Sequence, residues 1–462
     1  MGYTIRQMDA EHNFCQELTV EALQRAVPRD AIAAVLQETG NPVQRARKLT
    51  AEATIWTLIA MNLYTHLALG HVLRKLAQGL RFIWPDPSYR VPGASAFVYR
   101  RYQLGAAPVV ALYERLARPI ATPQTPGAFR FGLRLMAIDG TVEDVPDTEA
   151  NAAAFGRQHG SRGDSAFPQV QGVYLVECGT HAIVDATFGP YGTSERDGAQ
   201  ALLRAVTADM LVMWDRGLHA YDLLAAVRQR GAHALGRLPA HVKPEWVASL
   251  PDGSTLAYLR PSDRTRRAHG ERLLVRIIEY TLTDPALPGY GEVHRLVTTL
   301  LDPRLAPALE LVCLYHERWE IELVVDETDT HQRLAGRPLR SQKPEGVIQE
   351  LYALVLAHFA IRVLMHEAAL QAGIDPDRLS FVHAVRVLHD AIPEFQMVAP
   401  AERPRLYARL LQDIAAGRLP ARRLRSNPRV VKRKMSNFRL KRPDHRLWPQ
   451  PTMPFRAAVL LI

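Results

Sequence analysis

Residues 133–141 read LRLMAIDGT, residues 210–217 read MLVMWDRG, and residues 315–327 read YHERWEIELVVDE. Each holds one carboxylate of interest: Asp139, Asp215 and Glu322. The first two stretches are apolar, short and rich in β-favouring residues, so each predicts a buried strand that stops at its Asp. The third has helical apolar spacing through Ile321, Val324 and Val325. Tyr315, Arg318 and Glu322 stand at i, i+3 and i+7, which predicts one shared helix face. Two strand ends and a helix converging with carboxylates suit two-metal phosphoryl transfer, in which oxygen ligands hold a pair of divalent cations. The ligand set suits Mg²⁺, with Mn²⁺ as a substitute.

Each residue also has a plainer reading. Asp139-Gly140 is a common turn after a strand. Asp215 before Arg-Gly can cap the next helix. Glu322 can pair with Arg318 on a solvated face. Singly the plainer readings prevail; the order of the three and their placement favour the chemistry.

Working outward, residues 129–237 read strand, strand, strand, helix, strand, helix, strand, the ribonuclease-H-like order. The runs QVQGVYLVE and THAIVDATFG make a hairpin around Cys178-Gly179. Residues 238–308 carry Pro- and Gly-separated strand pieces and predict an inserted β-rich subdomain. Helices resume over 309–375 as the second part of the core, with the Glu322 helix. Residues 1–120 predict an all-helical N-terminal DNA-binding domain, with Thr50 and Glu52 opening a helix, and 117–128 form a Pro- and Thr-rich linker. Residues 376–462 end in a basic tail. The fold class is therefore α/β: a mixed-sheet core with a β insertion and a helical N-terminal domain.

The chain has 462 residues, 47% of them hydrophobic, and a net charge of +10. That suits several domains and favours a polyanionic partner. Basic clusters add candidate phosphate contacts: Arg45, Arg47 and Lys48; Arg100 and Arg101 between Tyr99 and Tyr102; Arg216; and Arg429, Lys432, Arg433 and Lys434 in the tail. Arg318 can hold a phosphate bidentately, and Tyr315 can stack on a base. Three separated cysteines exclude a zinc ribbon or a disulfide scaffold. No signal-peptide run opens the chain, and Leu351 to Met365 is broken by His358 and Arg362, so a soluble cytoplasmic protein without membrane partners is expected. No GxSxG elbow or Walker loop appears.

The pieces AIDGT, EDVPDTEANAAAFGR, MLVMWDRG, YHERWEIELVVDE and PLRSQKPEGVIQELYALVLAHFAIR resemble a bacterial DDE transposase of the insertion-sequence-four family. ETGNPVQRARKLTAEATIW and NPRVVKRKMSNF extend the resemblance over nearly the whole chain. It implies Mg²⁺-dependent cut-and-paste transposition at terminal inverted repeats of double-stranded DNA. Asp139, Asp215 and Glu322 would be the metal triad, Tyr315 and Arg318 would hold the element's end, and a homodimer would act in the nucleoid. One position departs: the family has Lys seven residues after the Glu, and here Asp329 stands there. Arg333, one turn on, would take over that phosphate contact. The alternative reading is an end-binding repressor that no longer catalyses.

Overall fold

The computed structural model describes residues 18–41, 49–83, 90–160, 163–318, 320–333, 336–420, 430–431 and 439–462. They fall into two compact units, each discontinuous in sequence. One comprises Met1–Arg130, Leu135–Ala205 and Glu320–Leu419; the other comprises Phe131–Arg134, Val206–Trp319 and Pro420–Ile462.

The first unit is built on three antiparallel strands: β1 (Leu133–Asp144), β2 (Gln169–Glu177) and β3 (Ala182–Pro190). Asp139 pairs with Tyr174 in the β1–β2 register, and β3 returns along β2. The return needs positive φ at Gly179 and His181, 80° and 59°. Helices cover both faces. Glu195–Leu202 packs on the Val173/Thr187 face, where a Cβ at Gly198 would meet Val173 Cγ2 at 2.5 Å. On the other face lie Tyr174, Phe188 and Tyr352, the last carried by the long helix Pro344–Ala372.

That long helix is the hub of this unit. Helices Ala51–Leu63, Ala107–Leu116 and Arg403–Ala416 all pack on it. Burial on all sides explains why it is apolar all round. It begins with Pro344 in the first turn and stops at Gly373 in the left-handed conformation, φ 61°. By length and composition it could cross a membrane, but 89% of its apolar window is buried inside the protein. The N-terminal helices thus belong to the unit that holds β1 to β3, rather than forming a unit of their own. Thr50 caps the helix Ala51–Leu63 by accepting from Ala53 N at 3.0 Å, as the sequence predicts.

In the second unit, β4 (Met210–Trp214) runs parallel to β5 (His233–Arg237), joined by the helix Tyr221–Gln229. All five residues of β4 are buried. Gly236 is required opposite Trp214: a Cβ there would lie 2.7 Å from the indole nitrogen. Four further strands follow: β6 (Glu245–Ser249), β7 (Thr255–Leu259), β8 (Leu273–Leu282) and β9 (His294–Thr298). They are antiparallel, and β9 pairs with β5, so the inserted strands extend the β4–β5 sheet instead of closing on themselves. β10 (Val459–Leu461) adds to β8. Along the chain, three antiparallel strands are followed by a helix and a parallel βαβ pair, the ribonuclease-H-like order that the sequence predicts.

Candidate active site

The strand does not stop at Asp139, as the apolar run predicts: pairing with β2 carries β1 on to Asp144, so Asp139 lies near its middle, partly exposed, its Oδ1 accepting from Gly140 N at 2.9 Å. The pleat puts Asp139, Thr141 and Glu143 on one face, that of Tyr174. Gly140 points to the other face, where a Cβ would meet Glu195 Oε1 at 2.7 Å. The chain from Glu320 to Arg333 lies along the Asp139 face. Thr141 Oγ1 donates to Asp329 Oδ2 at 3.3 Å, and Arg333 ion-pairs with Glu143. Glu322 itself is exposed, on the helix Glu320–Asp326.

Asp329, in the place where the resemblance implies Lys, is thus held by the strand that carries Asp139. Burial pushes its carboxyl up to about 6; hydrogen bonds from Thr328 and Thr141 oppose the rise and Asp326 adds to it. Arg333 does not present its charge to solvent: its side chain is 11% exposed and spent on Glu143.

The second unit carries Asp215, Tyr315 and Arg318. Asp215 follows β4, and its Oδ1 accepts from Leu218 N at 3.1 Å, closing the turn before the helix that starts at Tyr221. Arg216 is exposed in that turn. Tyr315 donates to the Trp214 carbonyl at 3.2 Å, which ties its helix to the strand end beside Asp215. Burial raises the Tyr315 phenol above its usual value, with Arg318 opposing and Asp215 reinforcing. Removing this bond in Tyr315→Phe should cost about 1 kcal/mol, read as a lower denaturant midpoint at unchanged slope.

One expectation fails here. Tyr315, Arg318 and Glu322 do not share a continuous helix: Ala308–Glu317 ends at Arg318, and the next helix starts at Glu320 in the other unit. Spacing alone cannot register a helix that ends at Glu317. Arg318 is buried beneath the Tyr315 ring, 5.7 Å from its centroid.

The basic clusters divide as well. Arg45, Arg47, Lys48, Arg429, Lys432, Arg433 and Lys434 lie outside the described residues. Arg100 is partly exposed beside Gln103. Arg101 is 3% exposed and acts inside the fold, bonded to Gln349, Ser341 and the Gly346 carbonyl. A surface that the basic-cluster reading passed over lies nearby. His71, Arg74, Lys75, Gln78, Arg81 and Phe82 line a groove of about 540 Å³ with Leu67, and among the described residues none that lines it is acidic. They recur at helical spacing on the face opposite buried Val72, Leu73, Leu76 and Leu80. That amphipathic period was the available signal.

Among the described residues, His181, Glu320 and Asp377 have metal-like spacing, their ligand atoms within 4.8 Å of one another. Hydrogen bonding argues against a metal there. Arg362 Nη2, which can only donate, contacts His181 Nδ1 at 2.9 Å, and Nε2 faces Asp377 Oδ1 at 3.1 Å. Nε2 therefore carries the ring proton and is not free to ligate.

Two family models match the chain. One, described as Insertion element 4 transposase N-terminal, covers residues 17–114; the other, Transposase DDE domain, covers residues 130–360. Transposase InsG for insertion sequence element IS4, from Escherichia coli (strain K12), is 30% identical over 435 residues, 92% of each chain. A cryo-electron-microscopy structure of a piggyBac transposase synaptic complex with hairpin DNA gives a TM-score of 0.40 at 10% identity, over 85% of this chain and 84% of that one.

Proposed function

The chain belongs to the insertion-sequence-four family of DDE transposases, and from that premise we propose that Asp139, Asp215 and Glu322 form its catalytic carboxylate set. The observation that carries the reading is the packing of the chain from Glu320 to Arg333 on the strand face of Asp139, through Thr141–Asp329 and Glu143–Arg333. Asp139 and Glu322 thus stand on two elements that brace one another. The donors fit the ion: Asp139 and Asp215 are partly exposed and Glu322 fully so, and all three offer oxygen. Mg²⁺, or Mn²⁺ in its place, would be held by these carboxylates and supplies Lewis-acid activation of the attacking hydroxyl and charge relief at the leaving oxygen.

The remaining roles fall to the chain's own groups. Tyr315 holds the strand end that carries Asp215, and the turn bond from Leu218 fixes which Asp215 oxygen stays directed into the turn. Exposed Arg216 contacts a phosphate of the bound end. Asp329 puts an acid where the family has a lysine, which weakens end binding at neutral pH relative to that lysine. Strand transfer joins two ends at one target, so a homodimer acts on paired double-stranded ends.

The groove from His71 to Phe82 is assigned to the duplex backbone. Binding measured across a salt series tests it. Arg74→Gln, Lys75→Gln and Arg81→Gln should each flatten the plot of log affinity against log salt by about 0.9, the value of one lost phosphate contact. An unchanged slope in the triple variant removes the groove from the DNA interface. The catalytic assignment is tested by metal-dependent cleavage of labelled DNA carrying the element's own ends.

A further inference from the structure

Glu322 rides on a helix of seven residues, Glu320–Asp326, which passes directly into a π-helical turn, Glu327–Gln332. A helix that short is not stable by itself in water. Ile321 and Val324 are its buried residues, and Leu323 beside Glu322 is 41% exposed. Apolar contact therefore fixes one side of the helix and leaves its rotation and axial position to other bonds.

Those bonds come from residues that bracket Glu322. Glu327, five residues on, is buried, its side chain 11% exposed. Arg362 donates to it from Nε at 3.0 Å and also from Nη2, and His358 Nε2 bonds the same carboxylate at 3.0 Å. His358 and Arg362 stand one turn apart on the long helix Pro344–Ala372. His181 Nδ1 lies 3.6 Å from Glu327 Oε1, while its Nε2 faces Glu320 Oε2 at 3.9 Å and Asp377 Oδ1 at 3.1 Å. One buried imidazole thus meets the residue two before Glu322 and the residue five after it.

The charges show that the clamp is held firmly. Burial alone would raise the Glu327 carboxyl, but Arg362 and the hydrogen bond from His358, with His181 close by, hold it well below the carboxylate range. His181 occupies the left-handed region at φ 59°, a conformation a non-glycine residue keeps only when its surroundings impose it. These anchors come from a hairpin turn, a core helix and the Pro376–Arg378 turn.

We propose that Glu327 and His181, with Arg362, are positioning residues that set the height and rotation of the helix bearing Glu322. The inference rests on Glu322 being a catalytic carboxylate. The experiment measures single-turnover cleavage of a labelled duplex with the element's ends, against Mg²⁺ concentration, together with affinity for the same duplex and the melting temperature. Glu327→Gln and His181→Gln should slow cleavage on the order of 10- to 100-fold and raise the Mg²⁺ midpoint, with DNA affinity within about twofold, as for lost outer-shell support. A merely structural role would not move the Mg²⁺ midpoint. Cleavage rate and midpoint at wild-type values in folded Glu327→Gln and His181→Gln overturn the proposal.

Glu327→Gln leaves Arg362 buried without its partner, so Glu327→Gln/Arg362→Met, which removes both charges, is assayed beside it below each variant's melting temperature. Slow cleavage with a raised midpoint in the double variant supports positioning; wild-type cleavage there overturns it. Glu322→Ala separates the two layers. If Glu322→Ala cleaves normally, the site assignment itself falls; if it is inactive while both positioning variants are normal, only this inference falls.

Discussion

Alanine at Asp139, Asp215 or Glu322 is expected to slow DNA cleavage by about a thousandfold or more, roughly 4 kcal/mol of lost transition-state stabilisation. Affinity for end DNA should change little, because none of the three supplies the positive charge that binds phosphates. Each side chain is at least partly exposed, so alanine leaves no buried cavity; Asp215→Ala also loses the turn bond from Leu218 N, about 1 kcal/mol, so every variant is assayed below its own melting temperature. Paired assays of cleavage and gel shift, with Mg²⁺ and with Mn²⁺, check this. A variant that cleaves at near-normal rate is not a member of the set. Double variants should be no worse than single ones, since groups that act as a unit are not additive.

Arg101→Met is expected to produce the largest loss of stability, about 3 kcal/mol or more, and a melting temperature lower by roughly 5 °C. The guanidinium reaches Gln349 Oε1 at 2.9 Å, Ser341 Oγ at 3.1 Å and the Gly346 carbonyl at 2.7 Å. Gln349 in turn donates to the Arg101 carbonyl at 2.7 Å and to Gly105 O at 2.6 Å. Burial lowers the Arg101 proton affinity, with Glu350 opposing, so the charge is kept by its partners. Removing it leaves buried acceptors unmatched. Thermal unfolding reads the loss. DNA affinity measured well below the transition should be unchanged; a selective loss of affinity without destabilisation would return Arg101 to the DNA surface.

Much of this was legible in the sequence, and the failures share a cause. Apolar runs ending at Asp139 and Asp215 have little freedom to be anything but buried strands, and Cys178-Gly179 supplies the turn that a hairpin needs. Thr50 announces its helix because its hydroxyl meets an otherwise unpaired backbone N–H. What stayed hidden depends on partners far away in the chain. Nothing local in Tyr99-Arg100-Arg101-Tyr102 says which arginine turns inward; only the spacing of buried Phe97, Arg101 and Leu104 does, and it requires accepting a charge in an apolar row. The spacing of Tyr315, Arg318 and Glu322 fits a helix face, yet the helix stops where the chain passes from one unit to the other. The strands β7 to β9 were recognisable singly and β6 was not; their joining to β5 is a non-local pairing. The π-turn at Glu327 has no local signature: it is set by carboxylate contacts from the long helix and the β2–β3 turn.

The division of the first unit has a consequence for how the protein is made. Its third segment, Glu320–Leu419, is separated from its second by residues 206–319 of the other unit. At synthesis rates of about 5–20 residues per second, those 114 residues delay the Glu322 segment by roughly 6–23 s. During that interval the face of β1 that carries Asp139, Thr141 and Glu143 emerges from the ribosome without its covering chain. A nascent or truncated polypeptide ending before residue 320 holds Asp139 and Asp215 but lacks both Glu322 and the long helix on which the first unit packs. Such fragments would be inert and poorly folded, so the ability to cut DNA arises only once most of the chain has been translated.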